Sequence, residues 1–188
     1  MSSAAQHDRA TEAAREVVAF VRSRPPTLGT GRLVCVDGPA GSGKTTLAAA
    51  VAALAPDAVV VHTDELLEGW PGLPGLAATI EALLVPLAEG RTGRWRRWDW
   101  HASAWAETHE VAPGGLLVVE GVGSWAPAYS ALVGCLAWVE ADPDVRLDRG
   151  LERDGEQMRG HWLQWRQDED ELHARLRTRE HADVVLTT

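Results

Sequence analysis

Five short apolar runs punctuate the chain: 32–37 (RLVCVD), 58–62 (AVVVH), 116–120 (LLVVE), 135–140 (CLAWVE) and 183–187 (DVVLT). Glycine, proline or polar residues flank them, the pattern of strands buried on both faces. Between and before them the spacing changes. Residues 3–24 place Ala10, Ala14, Val17, Val18 and Val21 at helical intervals before Pro25-Pro26 stops the helix, which reads as a cover for a sheet. Further helices are predicted over 44–54, 76–89, 143–154 and 161–178. Strand and helix alternation of this kind gives an α/β fold, a roughly five-stranded parallel sheet with helices on both faces. Ligands of such sheets lie at the carboxyl ends of the strands. PGLPG at 71–75 and APGG at 112–115 read as loops, and DEDE at 168–171 as a solvated helix face.

The 188 residues suit one domain, 1–188, and 45% hydrophobic with 24% charged residues is ordinary globular composition, which excludes wholesale disorder and fibrous repeats. No stretch approaches the roughly eighteen uncharged apolar residues of a membrane helix, and the first 24 residues lack a signal-peptide centre. Cys35 and Cys135 each fall inside a strand run, as small buried residues would, and a reducing cytoplasm is expected. The net charge of −9 disfavours nucleic acid. Lys44 is the single lysine, asparagine is absent, and that lysine falls inside the most informative motif.

Gly38-Pro39-Ala40-Gly41-Ser42-Gly43-Lys44-Thr45 fits G-x-x-x-x-G-K-[ST], after a predicted strand and at the start of a predicted helix. Glycines let successive N–H groups converge on phosphate oxygens at the positive helix end. Gly38, Ala40, Gly41, Ser42, Gly43, Lys44, Thr45 and Thr46 are therefore the candidate nucleotide site. Lys44 would carry charge to the β- and γ-phosphates, and the Thr45 hydroxyl would ligate magnesium. A GTPase would need Asn-Lys-x-Asp, which a chain without asparagine cannot supply. A ring ATPase would need more chain. A compact kinase using ATP and Mg2+ remains.

Asp64 follows the second run (VVVHTDEL), at the sheet's carboxyl edge, where it could orient or deprotonate an acceptor hydroxyl; Thr63 or Asp64 capping a turn that begins at Glu65 is the plainer alternative. Glu120 ends the third run and could hold magnesium through water, or be an exposed strand-end acid.

These residues resemble the uridine kinase and phosphoribulokinase group of P-loop kinases, particularly its short actinobacterial uridine-kinase-like members. The carriers are DGPAGSGKTT at 37–46, the acid at Asp64, WDW at 98–100, VVEGVGS at 118–124, RLDRGLERD at 146–154 and HADVVL at 181–186. The resemblance implies a three-layer P-loop fold with a small arginine-bearing lid at 143–160. It makes Asp64 the base, Trp98-Asp99-Trp100 the lining of a nucleoside pocket, and Arg149 with Arg153 phosphate-binding lid residues. The sequence departs from the family where tyrosine is replaced by Trp98 and the histidine five residues later by Ser103, with His101 out of register. The lid also has one extra residue before Arg159-Gly160. The acceptor is left open by these changes.

Arg146, Arg149 and Arg153 share one helix face, which an incoming phosphate would relieve; local pairs with Asp142, Glu152 and Glu156 are the alternative. Residues 91–105 (RTGRWRRWDWHASAW) hold four arginines and four tryptophans, suited to stacking a nucleobase, or to a flap whose tryptophans pack and whose arginines face water. The expected acceptor set is Asp64, Arg97, Trp98, Asp99, Trp100, His101 and Arg159, with Lys44, Asp64, Arg149 and Arg153 catalytic and Thr45 with Glu120 at the metal. The expected activity is transfer of the ATP γ-phosphate to a hydroxyl of a nucleoside or related metabolite. A nucleoside monophosphate kinase, an antibiotic phosphotransferase and a silent ATP-binding module are the alternatives. The expected partner is the small-molecule acceptor, without membrane, and a homodimer is compatible with the sequence.

Overall fold

A computed structural model describes residues 3–188. Helix α1 (Ser3–Ser23) precedes β1 (Arg32–Asp37), α2 (Lys44–Leu54), β2 (Ala58–His62), α3 (Leu76–Ala88), β3 (Gly93–Asp99), β4 (Ala104–Val111), β5 (Leu116–Glu120), β6 (Cys135–Glu140), α4 (Pro143–Asp154), α5 (Arg159–Leu176) and β7 (Val184–Thr187). Five strands form a parallel sheet in the order β2-β5-β1-β6-β7. The predicted strands agree to within a residue. The helices also agree, with α5 displaced by two residues toward the amino end.

Because successive strand residues point to opposite faces, each central strand feeds two cores. Leu33, Cys35, Val61, Leu117, Val119 and Leu136 pack with α3, while Val34, Val36, Val118, Ala137 and Val139 pack with α1 and α2. This is a three-layer arrangement. The register aligns Val36, His62 and Glu120 at the carboxyl edge, so the loops leaving β1, β2 and β5 meet there. Both cysteines are buried and free.

Three features differ from the sequence reading. Residues 91–105, for which no strand is predicted, form most of an antiparallel hairpin, β3 paired with β4, with a register irregularity between Arg96 and Trp98. PGLPG belongs to a 3-10 turn, Trp70–Gly75. That turn and α3 together, Trp70–Ala88, make the one segment among the described residues long and apolar enough to cross a membrane, at 19 residues and mean hydropathy 1.4. In the fold it turns Ile80, Leu83, Leu84 and Leu87 into the core beneath the sheet. Truncating Leu83, which is fully buried, to Ala is expected to cost about 2–5 kcal/mol, read from urea unfolding.

Candidate active site at the carboxyl edge of the sheet

The loop between β1 and α2 is fixed from its first residue. Asp37 is fully buried and its carboxylate accepts hydrogen bonds from the amides of Gly38 (2.7 Å), Gly123 (3.0 Å) and Trp125 (3.0 Å), with His173 Nε2 at 3.2 Å. It joins the loop, the turn after β5 and α5. At Gly38 (φ 138°) a Cβ would overlap the Val139 carbonyl, and at Gly41 (φ 76°) it would lie 2.6 Å from the Arg146 carbonyl oxygen. The backbone therefore passes where no side chain fits, against β6 and α4.

The carbonyls of this loop are held by donors. Lys44 Nζ donates to Pro39 O (2.9 Å), Arg146 to Ala40 O (3.4 Å), Arg149 to Gly41 O (3.1 Å) and the Thr188 hydroxyl to Ser42 O (2.9 Å). Burial lowers the Lys44 ammonium from its ordinary pKa, opposed by the carboxylates of Glu169, Glu120 and Asp37. Ser42 Oγ is buried with no partner among the described residues.

Beside the start of α2, the Thr45 hydroxyl donates to Glu120 Oε1 (3.1 Å), and His62 Nδ1 lies 2.5 Å from the same oxygen. That hydrogen bond raises the His62 pKa, and burial works against it. Asp64 sits in the 3-10 turn Thr63–Leu66, exposed, and its carboxylate takes no hydrogen bond among the described residues. No side chain caps that turn, which begins at Thr63 rather than Glu65; Thr63 instead donates to Val122 O (3.2 Å). The Asp64 backbone carbonyl accepts from Trp100 Nε1 (3.0 Å), so the hairpin docks on the turn that carries the acid.

The hairpin spends its polar groups on itself. Asp99 accepts from the amides of His101 and Ala102 (2.9 Å each), closing the β3–β4 turn, and Arg97 spans Glu107 and Asp99. Arg94 pairs with Glu110, Arg91 with Glu89, and Arg96 donates to the Trp105 and Ala106 carbonyls. Trp98 meets Trp105 edge-on, while Trp100 meets Trp70, whose ring stacks on His161 (5.3 Å) and abuts Trp165. Of the expected acceptor residues, Asp64 and Trp100 are brought together directly. Trp98 lies near Gly69 on the same side. Trp70, which the sequence reading left unassigned, and His161, at the start of the predicted fifth helix, join this aromatic frame.

The α4 arginines separate. Arg146 is buried against Glu169 (2.9 Å), and Arg149 donates to Gly41 O and Thr188, behind the loop rather than over it. Arg153 pairs with Asp154, lies over Trp162 and feels the Asp64 charge; Arg159 pairs with Glu156. None of the expected local partners Asp142, Glu152 or Glu156 is the one used by these three. Glu169 overturns the solvated reading of DEDE: it is fully buried, and its Oε2 accepts from the Ala40 amide (2.8 Å). A sequence signal existed, because Trp162, Trp165 and Glu169 lie at i, i+3 and i+7, so the acid falls on the stripe that the tryptophans mark as inward. Asp37 and His62 carried no such mark.

A glycine-shaped loop ahead of a helix, a lysine within it and an acid on the neighbouring strand are, on this strand order, the frame of the P-loop kinases, and the chain has their fold. It is similar to a structure described as a "possible uridine kinase" from Bacillus stearothermophilus, at 16% identity and TM-score 0.61, covering 93% of this chain and 97% of that one. It is also similar to a candidate fructose transport system kinase from Silicibacter sp. TM1040, at 19% identity and TM-score 0.60, covering 94% and 98%. No protein-family model and no curated protein matches the sequence.

Two expectations follow from the geometry. Replacing Asp37 by Asn puts an amide NH2 among N–H donors, so urea unfolding should show a loss of about 1–3 kcal/mol. Arg97 holds the Glu107 carboxyl down at about 2. A depressed acid stabilises above its unfolded pKa and ceases to do so as pH falls through the folded value. The Glu107–Arg97 contact should thus persist through pH 4 and fail near 2. Carboxyl NMR titration of Arg97→Ala should return Glu107 to the ordinary range.

Proposed function

We propose that the protein is an ATP-dependent small-molecule kinase, transferring the γ-phosphate to a hydroxyl of a nucleoside-like metabolite. The observation that carries this is the unpaired Asp64 carboxylate on the turn after β2 to which the aromatic hairpin is docked, separated from the glycine loop by β5. The cradle fits a polyphosphate. Gly41 and Gly43 hold left-handed backbone at the head of α2, the unpartnered Ser42 hydroxyl lies within the loop, and Lys44 is kept there by one carbonyl. Thr45 and Glu120 form an all-oxygen pair suited to Mg2+, which when bound would neutralise charge on the phosphates.

In this reading Lys44 holds the β- and γ-phosphates and Asp64 accepts the proton of the acceptor hydroxyl as its oxygen attacks the γ-phosphorus; ADP is the leaving group. Arg153, paired with Asp154 and within electrostatic reach of Asp64, would add positive charge near the transferring group. Arg149 braces the loop instead. Trp98, Trp100 and Trp70 offer flat apolar walls to a ring. All four arginines of 91–105 are engaged within the hairpin or its flank, which favours an acceptor that carries no phosphate of its own.

The test is phosphotransfer from ATP across nucleosides, nucleoside monophosphates and sugars. Asp64→Asn should lower kcat on the best acceptor by about 10²–10⁴-fold with nucleotide binding retained. Full turnover by that variant would remove Asp64 as the base, and ATP binding with no acceptor-dependent ADP release would sink the kinase reading.

A further inference from the structure

We propose that Glu169 and Arg146 are positioning residues for the phosphate loop, holding it from behind in its phosphate-receiving shape before nucleotide arrives. The inference rests on the reading of residues 38–45 as that site. Glu169 and Arg146 come from α5 and α4, far from the loop in sequence, and both are buried against it. One carboxylate oxygen takes the Ala40 amide and the other takes the Arg146 guanidinium, whose same Nη1 reaches the Ala40 carbonyl. Both backbone polar groups of Ala40 are thus held by one ion pair.

The neighbouring carbonyls point the same way. Those of Gly41 and Ser42 are taken by Arg149 and Thr188, and Thr188 itself accepts from Arg149. With these carbonyls engaged, the amides of Gly41, Gly43, Lys44 and Thr45 are left to converge on an anion, while those of Gly38 and Ser42 are taken by Asp37 and the Pro39 carbonyl. The Ala40 amide is withdrawn from that set by Glu169.

A buried ion pair adds little net stability against apolar residues of the same volume, because desolvating two charges offsets their attraction. What it does supply is one arrangement of a glycine-rich segment that would otherwise sample many. An apparent dissociation constant rises by the factor by which the binding-competent fraction falls, so a loosened loop reads directly as weaker nucleotide binding.

The experiment compares hydrogen exchange of the amides of 38–44, measured without nucleotide, with ADP affinity from isothermal titration in Mg2+. In Glu169→Ala the loop amides should exchange about tenfold faster while β1 and β5 keep their protection, and the ADP dissociation constant should rise by about the same factor. The paired variant Arg146→Gln/Glu169→Gln leaves no lone buried charge. It should fold even where the single variant does not, and show an intermediate loosening of at least about threefold, since neutral hydrogen bonds are weaker than charge-assisted ones. Loop exchange and ADP affinity within twofold of wild type in the folded variants would overturn the proposal. So would a loosened loop with unchanged ADP affinity, or a lower melting temperature as the sole effect. Wild-type protein that fails to bind ADP, alongside a variant whose loop still loosens, would instead remove the phosphate-site reading and leave the clamp standing.

Discussion

The end of the central strand is where this molecule is tied. A carboxylate with no access to water must find donors for its oxygens, and Asp37 finds them in three separate segments: its own loop, the turn after β5 and the histidine of α5. The central strand is thereby joined to the turn of its neighbour and to the longest helix of the carboxyl-terminal half. The glycine loop, the acid on β5 and Glu169 of α5 keep a common frame because that one side chain refers them all to the same point.

The parallel sheet was legible because its inner strands are buried on both faces, while the edge strands β2 and β7 keep apolar runs although Val59 and Val185 are exposed. Runs such as LVCV and LVV have no polar residue to interrupt them, and the helices between them keep a plain apolar stripe. The hairpin was not. Its strands read as RWRRWD and AWAETHEV, with tryptophans and charges mixed because it lies outside the main sheet and meets solvent as well as α3. Its cross-strand pairs, Arg94 with Glu110 and Arg97 with Glu107, join residues in two strands and have no local signature.

The site divides the same way. Loop residues were legible because their chemistry demands a fixed spacing within one stretch of chain. Asp64 was placed by topology, one step past a strand. Glu169 was hidden in a run of four acids that looks like solvated surface, and only the helical phase relative to two tryptophans separates it from its neighbours. The arginines of α4 show the limit of charge counting. Three cations on one face suggested a single task, whereas Arg146 is buried against Glu169, the half-buried Arg149 hydrogen-bonds to the Gly41 carbonyl, and Arg153 stays within electrostatic reach of the acid.

The indole hydrogen bond from Trp100 to the main chain of Asp64 ties two properties that enzymes often vary separately. On the proposed reading, reshaping the aromatic wall would pull on the peptide unit that carries the acid, so a broadened pocket would bring a change in turnover with it. A change of acceptor there would call for paired substitutions, one in the hairpin tip and one in the turn it grips.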